Sequence, residues 1–210
     1  MKPYVERKVT FTDDGRMLDE DGKSIMMDWE KPIMKFQAEQ ICRRGGDILN
    51  IGYGMGFMDY EIERFNPTSH TIIEIHPDVH NRIIQEGWHK KKHVNLLFGD
   101  WKKYLHDLPK FDGMYFDTWD DSDLKLLVEN LKTLLKPNGV MTFFNNPKDD
   151  TDSLGYPYFI KPEVEKNLKV EFEDLSLDFI DTPLRQTGSD VSCYWSPFWK
   201  VYRSPILSLR

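Results

Sequence analysis

The chain is short of cysteine, of positive charge and of long apolar runs, and each shortage removes a class of protein. Its two cysteines, Cys42 and Cys193, stand far apart without CxxC spacing in 210 residues. Neither a disulfide framework nor a zinc site is expected, and buried, reduced thiols are the simple reading. Nowhere do about 18 apolar residues run together, so no membrane-spanning helix is expected. The opening stretch, residues 1–14, turns acidic at once and lacks an apolar segment; no signal or transit peptide is read, and a cytoplasmic location is the expectation. With 28 Lys and Arg against 35 Asp and Glu, the formal charge is -7. Affinity for phosphate backbones comes largely from lysine and arginine, so nucleic acid is not an expected partner. The one basic run, Lys90-Lys91-Lys92, reads as solvated surface.

What is present is enough for one α/β domain. Hydrophobic residues make up 40% of the chain, too many for disorder. A chain of this length is expected to bury roughly 70% of its unfolded surface. Residues 1–25 hold two turns, Asp14-Gly15 and Asp21-Gly22, between the extended pieces Val9-Thr10-Phe11 and Met17-Leu18; they read as an N-terminal arm or lid ahead of a domain covering 26–210. From Asp28 the spacing of Ile33, Phe36, Gln37, Gln40 and Ile41 predicts a helix that Gly45-Gly46 stops. Strands are predicted at 47–51, 71–75, 94–98, 111–117 and 140–144. The helices between them fall at Met58 to Phe65, Pro77 to Gly87, Tyr104 to Leu108 and Ser122 to Leu135, the last stopped by Lys136-Pro137-Asn138-Gly139. Strands alternating with helices imply a mostly parallel sheet with right-handed crossovers. A helix at Lys161–Leu168 and strands at Val170–Phe172 and Tyr194–Tyr202 are expected to finish a seven-stranded sheet with an antiparallel edge.

Ligands of such sheets bind beyond the carboxyl ends of the strands. Three features fall there: Gly52-x-Gly54-x-Gly56 after the first strand, Glu74 at the end of the second, and Gly99-Asp100-Trp101 after the third. A glycine loop allows close approach to the backbone, Glu74 can accept hydrogen bonds from two ribose hydroxyls, and Trp101 can wall an adenine. Dinucleotide enzymes and methyltransferases share this pattern. The dinucleotide motif GxGxxG requires glycine where Phe57 stands, and a bulky residue there disfavours a pyrophosphate. Two acids remain for chemistry. Asp117 ends the fourth strand, and Glu30 opens the helix that leads into the first. Two carboxylates beside the aromatics Trp29 and Trp119 suit a flat cation, because a guanidinium takes bidentate hydrogen bonds and stacks on rings. Read singly, Glu30 can equally cap the helix start and Asp117 merely end a strand.

At these residues the sequence resembles the guanidinoacetate methyltransferase family and, more closely, the fungal arginine delta-N-methyltransferases, or type IV protein arginine methyltransferases. The runs that carry the resemblance are Tyr4 to Phe11, Met26-Met27-Asp28-Trp29-Glu30-Lys31-Pro32-Ile33-Met34, Leu49 to Gly56, Glu74 to Val79, and Phe111 to Thr118. It implies a class I, Rossmann-like methyltransferase using S-adenosylmethionine and releasing S-adenosylhomocysteine. It implies cofactor contacts from Tyr4, Met26, Met34, the loop Met55, Gly56, Phe57, Met58, Asp59 and Tyr60, then Glu74, Ile75, His76, Trp101, Lys102 and Asp117. It further implies that Glu30 and Asp117 grip the guanidino group while the N-terminal arm closes over the site. The fungal enzymes carry an additional N-terminal repeat region that docks protein substrates, whereas this chain opens almost at the catalytic segment. Where the guanidinoacetate enzymes receive the substrate carboxylate, this chain reads Asn145-Asn146-Pro147-Lys148-Asp149-Asp150, whose acids repel an anion and welcome an ammonium. Arginine, free or in a peptide, is therefore expected over guanidinoacetate.

Other readings stay open at this level. Creatine-forming guanidinoacetate methylation is one, and a non-catalytic module that keeps the cofactor pocket is another. An NAD-dependent oxidoreductase is set back by Phe57. His76 and His80 have the spacing of a ligand pair but no third partner, so no metal is expected.

Overall fold

Alternating side chains along each strand sort the core into two halves, one on each face of a central sheet. A computed structural model describes residues 2–119, 123–145, 160–177 and 201–210. Before the sheet stand three short strands, β1 (Thr10–Phe11), β2 (Arg16–Leu18) and β3 (Ser24–Met27), paired antiparallel. The sequence pattern indicated only the first two extended pieces; β3 is short and runs straight into a 3-10 turn at Asp28–Glu30. Next come α1 (Lys31–Cys42), β4 (Asp47–Ile51), α2 (Phe57–Glu63), β5 (Ser69–Glu74), α3 (Pro77–Gln85) and β6 (Val94–Phe98). They are followed by β7 (Phe111–Phe116), α4 (Leu124–Glu129), α5 (Leu131–Leu134), β8 (Leu135–Phe143), α6 (Lys161–Asn167), β9 (Leu168–Ser176) and β10 (Val201–Leu209).

The large sheet has the order β6-β5-β4-β7-β8-β10-β9 among the described residues. The pairs from β6 to β8 are parallel, and β10 runs antiparallel to both β8 and β9. This is the expected mostly parallel α/β sheet; of its described strands β10 alone is reversed, and it lies between β8 and the edge strand β9 rather than at the edge itself. Period-two alternation builds the layers. Ile48, Ile72 and Tyr115 face Met34, Ala38 and Ile41 of α1, Met58 and Ile62 of α2, and Val79 and Ile83 of α3. Leu49, Ile73 and Met114 face Leu124, Leu127 and Val128 of α4, Leu131 and Leu134 of α5, and Val164 of α6.

Three local expectations are corrected. A 3-10 turn at Trp101–Lys103 replaces the helix expected at Tyr104 to Leu108, because the Asp100 side chain caps it by accepting from the Lys102 amide. The helix expected from Ser122 to Leu135 is two pieces separated by Asn130, whose side chain bonds back to the Leu126 carbonyl at 2.8 Å; such local bonds compete with the helical ladder. Lys136 to Gly139 does not precede the fifth strand but lies within it, as an irregularity between the pairs Phe111–Leu135 and Gly113–Val140. Ser122, Asn146 to Asp150, Cys193 and Tyr194 fall outside the described residues. Cys42 is buried, and burial pushes its thiol up to about 12. No helix among the described residues is long and apolar enough to cross a membrane.

Candidate active site

Parallel pairing of β4 with β7 sets Ile51 beside Phe116, so the residues that follow each strand, Gly52 and Asp117, emerge side by side. Gly52 has φ +95, and a Cβ there would lie 1.9 Å from the Asp117 carbonyl oxygen. Glycine at 52 is thus demanded by the chain's own backbone. Gly56 has φ +79 at the start of α2, with the Tyr53 ring occupying the space of a Cβ.

Glu74, at the end of β5, organises this loop. Its Oε2 accepts from the Tyr53 amide at 2.9 Å and its Oε1 from the His76 amide at 2.6 Å. Burial pushes the Glu74 carboxyl above its usual range, against the pull of the His76, Tyr53 and Gly54 amides. His76 Nε2 lies 2.8 Å from the Arg7 carbonyl oxygen, and its Nδ1 accepts from the Asp78 amide at 3.1 Å. The first bond, with one from the Val9 amide to Asp78 Oδ2 at 3.1 Å, holds the N-terminal segment against the β5–α3 junction. Arg7 is buried and paired with Asp19 at 2.7 Å. Tyr4 then lies flat against Trp119, with centroids 5.3 Å apart and planes 4° apart. Burial raises the Tyr4 hydroxyl, and Glu74, Asp117 and Asp78 raise it further.

Glu30 is buried at the 3-10 turn before α1, and its Oε1 accepts from the Met27 amide at 2.6 Å. The capping role weighed against a chemical one is therefore present, and it fixes the carboxylate's orientation. Beside it, Lys31 Nζ lies 4.9 Å above the Phe57 ring, which sets the start of α1 over the start of α2. On the far side, Tyr202 of β10 accepts from the Asn145 amide at 2.8 Å, and Asn145 Nδ2 donates to the Arg203 carbonyl at 2.9 Å. The Tyr202 phenol is raised by burial, lowered in part by the Asn145 amide, and raised again by the fields of Asp117 and Glu30.

Gly52, Gly54 and Gly56 follow β4, Glu74 ends β5, and Asp117 and Asn145 follow β7 and β8; Tyr4 meets this rim through His76 and Trp119, and Glu30 stands in the turn after β3. Met26 joins them, its sulfur accepting from the Met55 amide at 3.2 Å. Ile75 and Phe98 expose apolar surface beyond β5 and β6, and Trp101 is buried against Phe116. Lys102 reaches Asp123 at 2.5 Å.

Other expected site residues point elsewhere. Trp29 is 1% exposed, donates to Met27 sulfur at 3.1 Å and packs with Ile33, Leu177 and Tyr202, so it is a core residue rather than a stacking face. Asp59 is fully buried and spends its carboxylate on Asn50 and His70. Met34 is buried with its sulfur on the Tyr115 hydroxyl, Met58 is core, and Tyr60 turns to the Trp88 ring and Glu86. Tyr202, Arg7 and Asp78 were not singled out in the sequence; only the strand pairing and the docked N-terminal segment reveal them.

This sheet order, with the glycine loop after the first of the large sheet's strands, defines a class I methyltransferase fold. Solved structures agree: spermidine synthase from Thermotoga maritima superposes with a TM-score of 0.63 at 12% identity, covering 97% of this chain and 68% of that one. Fibrillarin from Aeropyrum pernix, with natively bound S-adenosyl-L-methionine, gives 0.55 at 15%, covering 97% and 100%. The chain belongs to the guanidinoacetate N-methyltransferase family, whose model matches residues 2–150. It is similar to the fungal proteins called protein arginine N-methyltransferase 2: 37% identical to that of Candida glabrata over 68% of this chain and 37% of the relative. For Yarrowia lipolytica the figures are 34%, 83% and 40%, and for Aspergillus fumigatus 33%, 97% and 49%. The chain spans less than half the length of each of these relatives.

Proposed function

We propose that this chain transfers a methyl group from S-adenosylmethionine to a guanidino nitrogen of arginine, free or within a peptide. The observation that carries the reading is the placement of two acids: Glu30 is buried with its Oε1 held by the Met27 amide, and Asp117 leaves β7 packed against Gly52 of the glycine loop, whose other side is held by Glu74. Family membership and the arginine in the names of the fungal relatives support it.

The residues fit the cofactor. Gly52, Gly54 and Gly56 leave backbone open to close approach while the side chains of Tyr53 and Met55 between them are buried, Glu74 keeps a buried carboxylate at the strand end, and Ile75 and Phe98 present apolar faces suited to a flat base. When bound, S-adenosylmethionine supplies an electrophilic methyl group and leaves as S-adenosylhomocysteine.

The chain's own task is to make a guanidinium reactive. With a pKa above about 12 the group is protonated and its nitrogens are poor nucleophiles. Carboxylates on its non-reacting nitrogens draw positive charge toward themselves, leave electron density on the attacking nitrogen and hold it in line with the methyl carbon. As that nitrogen takes up the methyl carbon, whose bonding electron pair stays on the cofactor's sulfur, Asp117 or Glu30 would accept the nitrogen's proton and pass it to solvent. Glu30, its Oε1 fixed by the Met27 amide, and Asp117, emerging beside Gly52, would share the grip on the non-reacting nitrogens.

The family's name supports a second reading, methylation of guanidinoacetate. Mass spectrometry of products from labelled cofactor with arginine, an arginine peptide and guanidinoacetate separates the two and identifies the nitrogen. Arginine or its peptide is expected to react fastest, and a preference for guanidinoacetate overturns the arginine reading.

A further inference from the structure

Beneath the glycine loop runs a chain of buried polar groups that ties its two ends together. Asn50 on β4, just before the loop, donates through Nδ2 to both carboxylate oxygens of Asp59, at 2.9 and 2.8 Å. Asp59 lies in the first turn of α2, just after the loop. Its Oδ1 stands 3.0 Å from His70 Nε2, and His70 Nδ1 stands 3.0 Å from Glu63 Oε1. Glu63 is also held by Lys91 Nζ at 2.8 Å and His93 Nε2 at 3.0 Å. The edge of Trp88 closes one side of His70, centroids 5.8 Å apart, and the Tyr53 hydroxyl feels the charge of Asp59 from the loop itself. Asn50, Asp59 and His70 are fully buried.

A neutral imidazole donates from one nitrogen only, and an ionised carboxylate only accepts. With a carboxyl at each ring nitrogen, His70 satisfies both as the imidazolium when each is ionised; burial raises the Asp59 carboxyl, and the bonds from His70 and Asn50 work against that rise. Burial alone would lower the His70 pKa, but Asp59 and Glu63 outweigh burial and raise it. As a source of stability such an arrangement is poor, because buried ion pairs are often matched by apolar replacements. As a spacer it is well placed: it joins β4, α2 and β5, the three elements whose ends carry Gly52, Gly56 and Glu74.

We propose that Asn50, Asp59 and His70 are positioning residues that set the glycine loop against Glu74, so that cofactor affinity depends on this buried chain. The proposal rests on the loop and Glu74 being the cofactor's seat. None of the three touches the cofactor; they act through the backbone they brace. Loss of the His70 proton removes the donor from one of its two carboxylate contacts and loosens the chain at that link, so affinity falls as pH rises through the His70 pKa.

The test measures S-adenosylhomocysteine affinity by calorimetry and the melting temperature, both from about pH 6 to about pH 9. It uses the full chain and its Asp59→Asn, His70→Gln, Glu74→Ala and Asp47→Asn variants, the last disturbing the Lys136–Asp47 pair at the opposite end of β4. Wild-type affinity is expected to fall with rising pH. His70→Gln and Asp59→Asn are expected to bind about tenfold more weakly, as when a buried partner is lost. His70→Gln should also flatten the pH profile, while Asp47→Asn, even if less stable, binds normally. Unchanged affinity in a folded His70→Gln, with Glu74→Ala weakened, overturns this proposal alone. Unchanged affinity in Glu74→Ala overturns the seat itself and the proposal with it. Should His70→Gln and Asp59→Asn fail to fold, a wild-type affinity flat across the range is the overturning result.

Discussion

The carbonyl oxygen of Asp117 fills the space where Gly52 would carry a side chain, 1.9 Å from an ideal Cβ. The glycine loop and the fourth-strand acid are thus one structural unit, and displacing either moves both.

Gly52→Ala is expected to cost at least about 2–3 kcal/mol, since it combines a strained positive φ with overpacking against backbone. Urea unfolding with an unchanged slope and a lower midpoint is the expected record, together with weakened cofactor binding. A stability equal to wild type would show that the Asp117 strand end gives way freely.

Glu74→Gln places an NH2 group where an oxygen now accepts from a backbone amide of Tyr53 or His76. One buried donor then loses its acceptor, at a cost of about 1–3 kcal/mol. Cofactor affinity measured by calorimetry should fall while the fold persists; undiminished affinity would remove Glu74 from the binding seat.

The Glu63 carboxylate gives a pH prediction with a definite sign. Burial works against its charge, yet His70, Lys91 and His93 outweigh burial and bring its pKa to about 2 from the ordinary 4.5. A depressed carboxyl contributes stability that is complete above the unfolded value and is lost as pH falls through the folded one. Between pH 4.5 and about 2 wild type should therefore lose stability more steeply than Glu63→Gln. Parallel urea midpoints for the two proteins would contradict this.

Trp119→Ala removes the stacking partner of Tyr4, a contact worth about 0.5–1.5 kcal/mol. Amide exchange around Tyr4 to Val9 is expected to quicken by about five- to tenfold, with the sheet unaffected. Unchanged exchange would mean that His76 and Asp78 alone hold the segment.

Much of this was legible in the sequence because it rests on short-range rules. Apolar runs bounded by glycine or proline located β4, β5, β6 and β7, and the Gly52 to Gly56 spacing located the loop. Side-chain direction was less accessible. The family resemblance implies a cofactor contact from Asp59, yet its place in the first turn of α2 aims it inward at Asn50 and His70. A polar Asn50 inside an apolar strand was the available signal of an interior partner. Trp29 stands next to Glu30 in sequence, but the 3-10 turn sends its ring into the core. The part of Tyr202 was hidden, because it depends on β10 pairing back onto β8 across many intervening residues.

The most direct test of the account is single-turnover methylation of arginine, followed by mass spectrometry, in Glu30→Gln and Asp117→Asn. If the paired carboxylates aim and neutralise the guanidinium, each variant should lose about 100-fold or more in rate, with S-adenosylhomocysteine still bound by Glu30→Gln. Rates within about twofold of wild type in both variants, less than about 0.5 kcal/mol of barrier, would contradict it.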